Sequence, residues 1–104
     1  MCVTVYMTAA DGDEAERIAK TLVAEGLAAC VNFFPCRSVY RWKEGIEEAS
    51  EYVLICKTRK RVFARLEKRV KEIHSYEVPA IVAFDIVEGH SEFLKWIGDA
   101  TTEA

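Results

Sequence analysis

The chain has 104 residues, of which 51% are hydrophobic and 30% charged, and its formal net charge at pH 7 is −3. This length suits a single domain, residues 1–104, with the composition of an ordinary globular protein. The negative charge argues against a general nucleic-acid binder, and a chain this short gains buried surface by associating with copies of itself.

The first two predicted elements are a strand and a helix. Residues 2–8, CVTVYMT, are rich in β-branched and aromatic residues, which indicates a strand. A helix follows, because its apolar residues recur with the spacing of one helical face, at Ala15, Ile18, Ala19, Leu22 and Val23. Asp11 or Asp13 is the expected N-cap, and Gly26 is expected to end the helix in the left-handed conformation.

The middle of the chain predicts strands joined by a hairpin. Residues 27–34, LAACVNFF, indicate a second strand that is broken at Pro35. Strand-like runs on either side of KEG (43–45) then predict a hairpin whose second arm runs toward Lys57. Tyr40 and Trp42 are two residues apart, so they share one face of their strand.

The last third predicts a helix, a strand and a short helix. They cover about residues 60–74, 78–87 and 91–101, with Ser91 as the cap of the last helix. The whole order predicts an α+β fold, a ferredoxin-like split βαβ sandwich with two helices on one face of an antiparallel sheet. It adds an extended middle hairpin, whose exposed strand edges favour self-association.

A basic stretch coincides with the second helix. Residues 57–71 contain eight Lys/Arg and one acidic residue, Glu67. Such a stretch attracts anionic ligands, but it is also typical of the solvated face of an amphipathic helix.

The four cysteines do not form a recognised pattern. Cys2, Cys30, Cys36 and Cys56 match neither a zinc motif nor a small disulfide framework. Cys30 and Cys56 lie in apolar stretches, which predicts buried, reduced thiols. The N-terminus has no secretory signal pattern, and no apolar run reaches the ~20 residues that span a bilayer, so a cytoplasmic location is expected.

Polar residues gather where the second helix gives way to a strand, in HSYEVP (74–79). His74 either caps the end of the helix or binds a borderline metal ion through its ring. Cys30 is either a packed thiol or a reactive one, the latter if Lys57 lies beside it. HExxH and GxSxG motifs and phosphate-binding glycine loops are all missing, which argues against the enzyme classes that use them.

Five stretches together resemble the CutA family of divalent-cation tolerance proteins. They are LVAEGLAACVNFFP (22–35), SVYRWKEGIEE (38–48), YVLICKTR (52–59), HSYEVPAIVAF (74–84) and EFLKWI (92–97). The resemblance implies a ferredoxin-like homotrimer that is not an enzyme and binds copper and other divalent ions. Family members usually have Pro and Glu at the positions of Ser75 and Ala80, and some have a copper-binding cysteine at the position of Met7.

These arguments give a set of candidate residues. The predicted metal ligands are His74, Cys30 and Met7, with the soft thioether of Met7 suited to Cu(I). The predicted supporting or interface residues are Tyr40, Trp42, Lys57, Tyr76 and Glu77. The expected partners are copies of the chain and divalent ions, without nucleic acid or membrane. The alternative function is a trimeric signalling module that responds to a small molecule or nucleotide.

Overall fold

The computed structural model describes residues 1–102, which form an antiparallel sheet with helices packed against it. The elements in chain order are β1 (Cys2–Ala9), α1 (Gly12–Ala24), β2 (Cys30–Trp42), β3 (Gly45–Arg59), the 3₁₀ turn Lys60–Val62, α2 (Phe63–Ile73), β4 (Ile81–Asp85) and α3 (Ser91–Asp99). The strand order is β2-β3-β1-β4, with every neighbouring pair antiparallel. The predicted α+β split βαβ fold is confirmed.

The ends of α1 follow from local chemistry. Asp11 is the N-cap, and its Oδ1 accepts a hydrogen bond of 2.8 Å from the amide of Glu14. This bond satisfies one of the amides that a helix leaves without an internal partner at its start. At the other end Gly26 has φ 72°, the left-handed conformation that glycine adopts without steric cost. Both predicted helix boundaries are therefore confirmed.

The predicted break at Pro35 is wrong, because β2 continues through it to Trp42. Pro35 lies opposite Tyr52 in an uninterrupted register with β3. β2 is an edge strand, so a residue without an amide proton is tolerated where its nitrogen faces away from β3. β2 and β3 therefore form one long hairpin that runs well past the end of β1 at Ala9.

The hydrophobic core lies between α1, α2 and one face of the sheet. Alternate residues of β1 and β3 point toward the helices, as the period of two of a strand requires. The largest side chains of this core are Val3, Val5, Met7, Ile18, Leu22, Leu54, Leu66 and Val70. Burying each of them contributes roughly 1.5–3 kcal/mol, so this face is the main source of stability.

The opposite face of the sheet is only partly covered. α3 packs over one corner, where the thiol of Cys2 lies 3.7 Å from the carbonyl oxygen of Leu94 and Ile97 is fully buried. Arg59 fastens the end of α3 by donating to the hydroxyl and the carbonyl oxygen of Thr101 at 2.8 and 3.0 Å.

The start of α3 differs from expectation. His90, rather than Ser91, is the N-cap, and its Nδ1 accepts a hydrogen bond of 3.2 Å from the amide of Phe93. Helix N-caps are usually Ser, Thr, Asp or Asn, whose side-chain oxygen accepts the hydrogen bond, and this preference predicted Ser91. Here an imidazole nitrogen of His90 accepts the bond instead.

Part of the rest of this opposite face is apolar and exposed. Phe34, Val82 and Phe84 lie on it and are 46%, 48% and 59% exposed. We call these three residues the uncovered sheet face. An apolar patch of this kind on a small domain marks an interaction surface.

We predict that Thr58→Val stabilises the protein. Thr58 is fully buried, and within residues 1–102 its hydroxyl has no hydrogen-bond partner. Valine keeps the shape and removes a desolvated hydroxyl, so the free energy of unfolding is expected to rise by about 1 kcal/mol. Urea unfolding at fixed protein concentration measures the change. Thr101→Val is the matched control, because its hydroxyl is bonded to Arg59 and Ile97 and its loss should destabilise the protein. A less stable Thr58→Val variant would contradict the prediction.

Candidate functional site

The predicted metal ligand His74 lies at the junction of α2, α1 and β1. It is the C-cap residue of α2, and its side chain is 0% exposed. Its Nε2 lies 2.7 Å from the carbonyl oxygen of Thr8, and its Nδ1 lies 3.0 Å from the amide nitrogen of Tyr76. An amide can only donate, so Nδ1 accepts and Nε2 carries the proton that bonds to Thr8. Both ring nitrogens are thus engaged with the backbone.

Glu14 is a buried carboxylate beside this histidine. Its two oxygens accept hydrogen bonds from the amides of Ala10 at 2.8 Å and Ser75 at 2.7 Å. Burial alone would raise the pKa of Glu14, but the hydrogen bonds from Ala10 and Ser75 outweigh burial and lower it. The carboxylate therefore ties the start of α1 to the segment after α2.

Tyr76 extends the polar network across the sheet. Its hydroxyl donates a hydrogen bond of 2.5 Å to Oε2 of Glu51, and its ring centre lies 4.8 Å from that of His74. Glu51 is only 8% exposed. Burial raises the pKa of Tyr76 well above its usual range, and the carboxylates of Glu51 and Glu14 raise it further. Tyr76 therefore stays protonated and donates to Glu51.

Cys30 and Met7 lie apart from His74 within one subunit. Cys30 is half-buried and stands opposite Lys57 in the β2–β3 register, so the predicted approach of these two residues occurs. Lys57 donates its hydrogen bond to Asn32. Cys30 pairs with Lys57 of β3, and Lys57 pairs in turn with Thr4 of β1. His74 bonds to Thr8, which lies four residues, or about 13 Å, further along β1. Cys30 and His74 are therefore well separated in one subunit.

Met7 belongs to the other face of the sheet, where it is 0% exposed in the core. Within residues 1–102 no three His, Cys, Asp or Glu side chains are grouped so as to hold a metal ion. The three predicted ligands thus occupy separate places in one subunit. Their role in metal binding stays a prediction, and a site that uses them together needs more than one copy of the chain.

The cysteines are free thiols in the structure. Burial raises the pKa of Cys56 to about 12, which makes it unreactive, as the sequence predicted. Cys30 is less enclosed than expected, because it lies at the first residue of the edge strand β2.

The predicted interface residues lie on the hairpin and beside it. Tyr40 and Trp42 share one face of β2, as predicted, and are 42% and 54% exposed. Glu77 is exposed in the segment before β4, and its supporting role stays a prediction.

Much of the basic stretch makes internal contacts. Arg69 pairs with Glu25 of α1 at 2.9 Å, and Arg65 donates to the carbonyl oxygen of Thr102 at 2.9 Å. Lys60 lies 3.5 Å from Asp85 at the end of β4. These contacts hold α2 and the turn before it against their neighbours. Most basic residues of the stretch therefore have a structural role, and an anionic ligand is not needed to explain them.

Two residues of the network, Glu14 and Glu51, were missed by sequence reasoning. The sequence contains a local pattern that could have identified Glu14, because Asp11 and Glu14 are three residues apart, the spacing of a capping box in which the acidic side chain accepts a backbone amide. Glu51 had none, because its burial depends on Tyr76, which is distant in the chain.

None of the helices in residues 1–102 is long and apolar enough to span a membrane.

Comparisons with known proteins agree on one family. The family model of the CutA1 divalent ion tolerance protein matches residues 3–100. The divalent-cation tolerance protein CutA of Archaeoglobus fulgidus is 50% identical over 99 residues, which cover 95% of this chain and 96% of that protein. Its namesake from Thermus thermophilus is 45% identical over 98 residues, 93% of this chain and 95% of that one.

Solved structures give the same result. The divalent cation tolerance protein of Thermus thermophilus matches with a TM-score of 0.96 at 44% identity, covering 98% of this chain and 100% of that one. The Archaeoglobus fulgidus protein, described as a periplasmic divalent cation tolerance protein, matches with a TM-score of 0.95 at 47% identity over 96% of this chain and 98% of that one. The chain therefore belongs to the CutA1 divalent ion tolerance family.

Proposed function

We propose that this protein is a non-enzymatic homotrimer of divalent-cation tolerance, which binds copper and other divalent ions at or near the contacts between its subunits. The observation that carries the proposal is the match of the divalent ion tolerance family model to residues 3–100. The relatives that match along nearly their whole length are named for tolerance rather than for a reaction.

Two features of the chain support self-association. The uncovered sheet face exposes Phe34, Val82 and Phe84. Burying these apolar side chains against another subunit would stabilise the protein. The β2–β3 hairpin also extends beyond Ala9, and a two-stranded ribbon is marginally stable in water unless something packs on it. A second copy of the same chain supplies both needs.

The arrangement of possible ligands supports a site between copies. His74, Cys30 and Met7 are separated in one subunit, whereas a transition metal generally takes several ligands. A metal bound by His74 has to displace the ring's bond to Thr8 or Tyr76. We therefore expect weaker binding than at a preformed site.

We also propose a cytoplasmic location. All four cysteines are free, as is usual for proteins of a reducing compartment.

Metal titration tests the proposed ligands. Copper, as Cu(II) and as Cu(I), is titrated into the assembled protein against a competing chelator, and the double variant His74→Ala, Cys30→Ser is expected to bind at least tenfold more weakly. His90→Ala is the control, because the side chain of this other histidine is 71% exposed and lies in the cap of α3. Equal affinity in the double variant and the control would remove His74 and Cys30 from the site.

A further inference from the structure

The two ring nitrogens of His74 make different hydrogen bonds. Nε2 carries the proton and donates to the carbonyl oxygen of Thr8 at 2.7 Å, whereas the lone pair of Nδ1 accepts the amide of Tyr76 at 3.0 Å. Histidines that bind metal ions usually donate their other ring nitrogen to a backbone carbonyl or a carboxylate. Nδ1 is therefore the nitrogen that fits a divalent ion, and the amide of Tyr76 covers it.

The segment that carries this amide is held by two carboxylates. The amide of Ser75 donates to Oε2 of Glu14 at 2.7 Å, and the hydroxyl of Tyr76 donates to Oε2 of Glu51 at 2.5 Å. Hydrogen bonds to ionised acceptors are stronger than hydrogen bonds between neutral groups. Moving the amide of Tyr76 away from Nδ1 therefore strains or breaks a bond to a carboxylate.

The position of Glu14 does not depend on the segment that it holds. Glu14 lies in the first turn of α1, its side chain is 5% exposed, and its Oε1 accepts the amide of Ala10 at 2.8 Å. Its Oε2 lies 3.9 Å from Nδ1 of His74, which is too far for a hydrogen bond. The carboxylate therefore acts on His74 through the backbone of Ser75 and Tyr76 and not through the ring.

We propose that Glu14 is a positioning residue that keeps the amide of Tyr76 on Nδ1 of His74 and so lowers the affinity of this histidine for divalent ions. The inference rests on the proposed metal-binding function and adds a control to it. An ion binds only those molecules in which the amide has left Nδ1, so the apparent Kd rises as their fraction falls. A carboxylate that ligated the ion would act in the opposite direction, because its removal weakens binding.

Hydrogen exchange of the metal-free protein tests the first part of the proposal. Ser75→Pro removes the amide that Glu14 holds, and Ser75→Ala is the matched control because it keeps that amide. His74 has φ −83° and ψ 141°, an extended conformation that a residue before proline readily adopts. Ser75→Pro is expected to speed exchange of the Tyr76 amide about tenfold, the factor that corresponds to one hydrogen bond with a charged acceptor. Ser75→Ala should exchange close to the wild-type rate.

Copper titration tests the second part. Cu(II), titrated against a competing chelator, is expected to bind Ser75→Pro about tenfold more tightly than the wild type, because more molecules have Nδ1 free. The gain should disappear when Ser75→Pro is added to His74→Ala. Glu14→Ala removes the same anchor without introducing a proline, so it should also bind Cu(II) more tightly, and it keeps the test valid if Ser75→Pro does not fold.

The outcomes separate this proposal from the proposed function. Unchanged exchange of the Tyr76 amide overturns the anchoring by Glu14. Faster exchange with unchanged or weaker copper binding in either folded variant, while His74→Ala still weakens binding, overturns the control and leaves the proposed function intact. If His74→Ala binds copper as tightly as the wild type, His74 is not a ligand. That result overturns the proposed role of His74 and, with it, the control by Glu14.

Discussion

Replacing Phe84 by glutamate is expected to convert the proposed trimer into single subunits. Phe84 is 59% exposed on β4 and stands opposite Thr4, on the uncovered sheet face. In a trimer closed on this face, the substitution buries an unpaired carboxylate in each subunit at a cost of several kcal/mol per charge. The single subunit keeps its core, because Phe84 points away from α1 and α2.

Sedimentation velocity and circular dichroism measure the two parts of this prediction. The variant should sediment as one subunit while its secondary structure stays that of the wild type. Ala64→Glu adds the same charge to the exposed outer side of α2 and should leave the assembly intact. An assembled Phe84→Glu variant would show that the uncovered sheet face is not the contact between copies.

Glu14→Ala is expected to lower the free energy of unfolding by about 3 kcal/mol. The carboxylate accepts hydrogen bonds from the amides of Ala10 and Ser75, and its loss removes both bonds, each of which contributes about 1.5 kcal/mol because the acceptor is charged. Urea unfolding at pH 7 and fixed protein concentration measures the change. Glu16→Ala is the control on the same helix, because its side chain is 50% exposed and its loss should change stability far less than the loss of Glu14.

The effect of Glu14 should also depend on pH. Folding lowers the pKa of Glu14 below its ordinary value of 4.5, so the folded protein favours the ionised form. Its stabilising contribution is therefore complete above pH 4.5 and is lost as the pH falls through the lower pKa of the folded state. The difference between wild type and Glu14→Ala should shrink on acidification below pH 4.5. A difference that stays constant or grows there would contradict this account.

Local chemistry made most of the fold predictable. The spacing of Ala15, Ile18 and Leu22 and the stop at Gly26 depend on neighbours in the chain, and the structure agrees with them. The break predicted at Pro35 is wrong because the effect of a proline depends on whether its strand lies at a sheet edge, which is a property of the sheet and not of the local sequence. The predicted cap of α3, Ser91, is wrong by one residue, because Nδ1 of His90 accepts the hydrogen bond that a side-chain oxygen usually accepts.

The candidate site was less predictable, because it joins residues far apart in the chain. His74 was selected correctly as a residue at the end of α2, but its bond to Thr8 spans 66 positions and has no local signal. The pairing of Tyr76 with Glu51 spans 25 positions in the same way. The residue type alone suggested that His74 is a metal ligand. In the structure both ring nitrogens form hydrogen bonds to the backbone, and a metal ion would have to break one of them.

Sedimentation equilibrium of the wild-type protein at micromolar concentration tests the central proposal most directly, because the proposed metal sites depend on contacts between copies. A homotrimer is expected to give particles of three times the 11.8 kDa subunit mass. Particles of 11.8 kDa alone would contradict it.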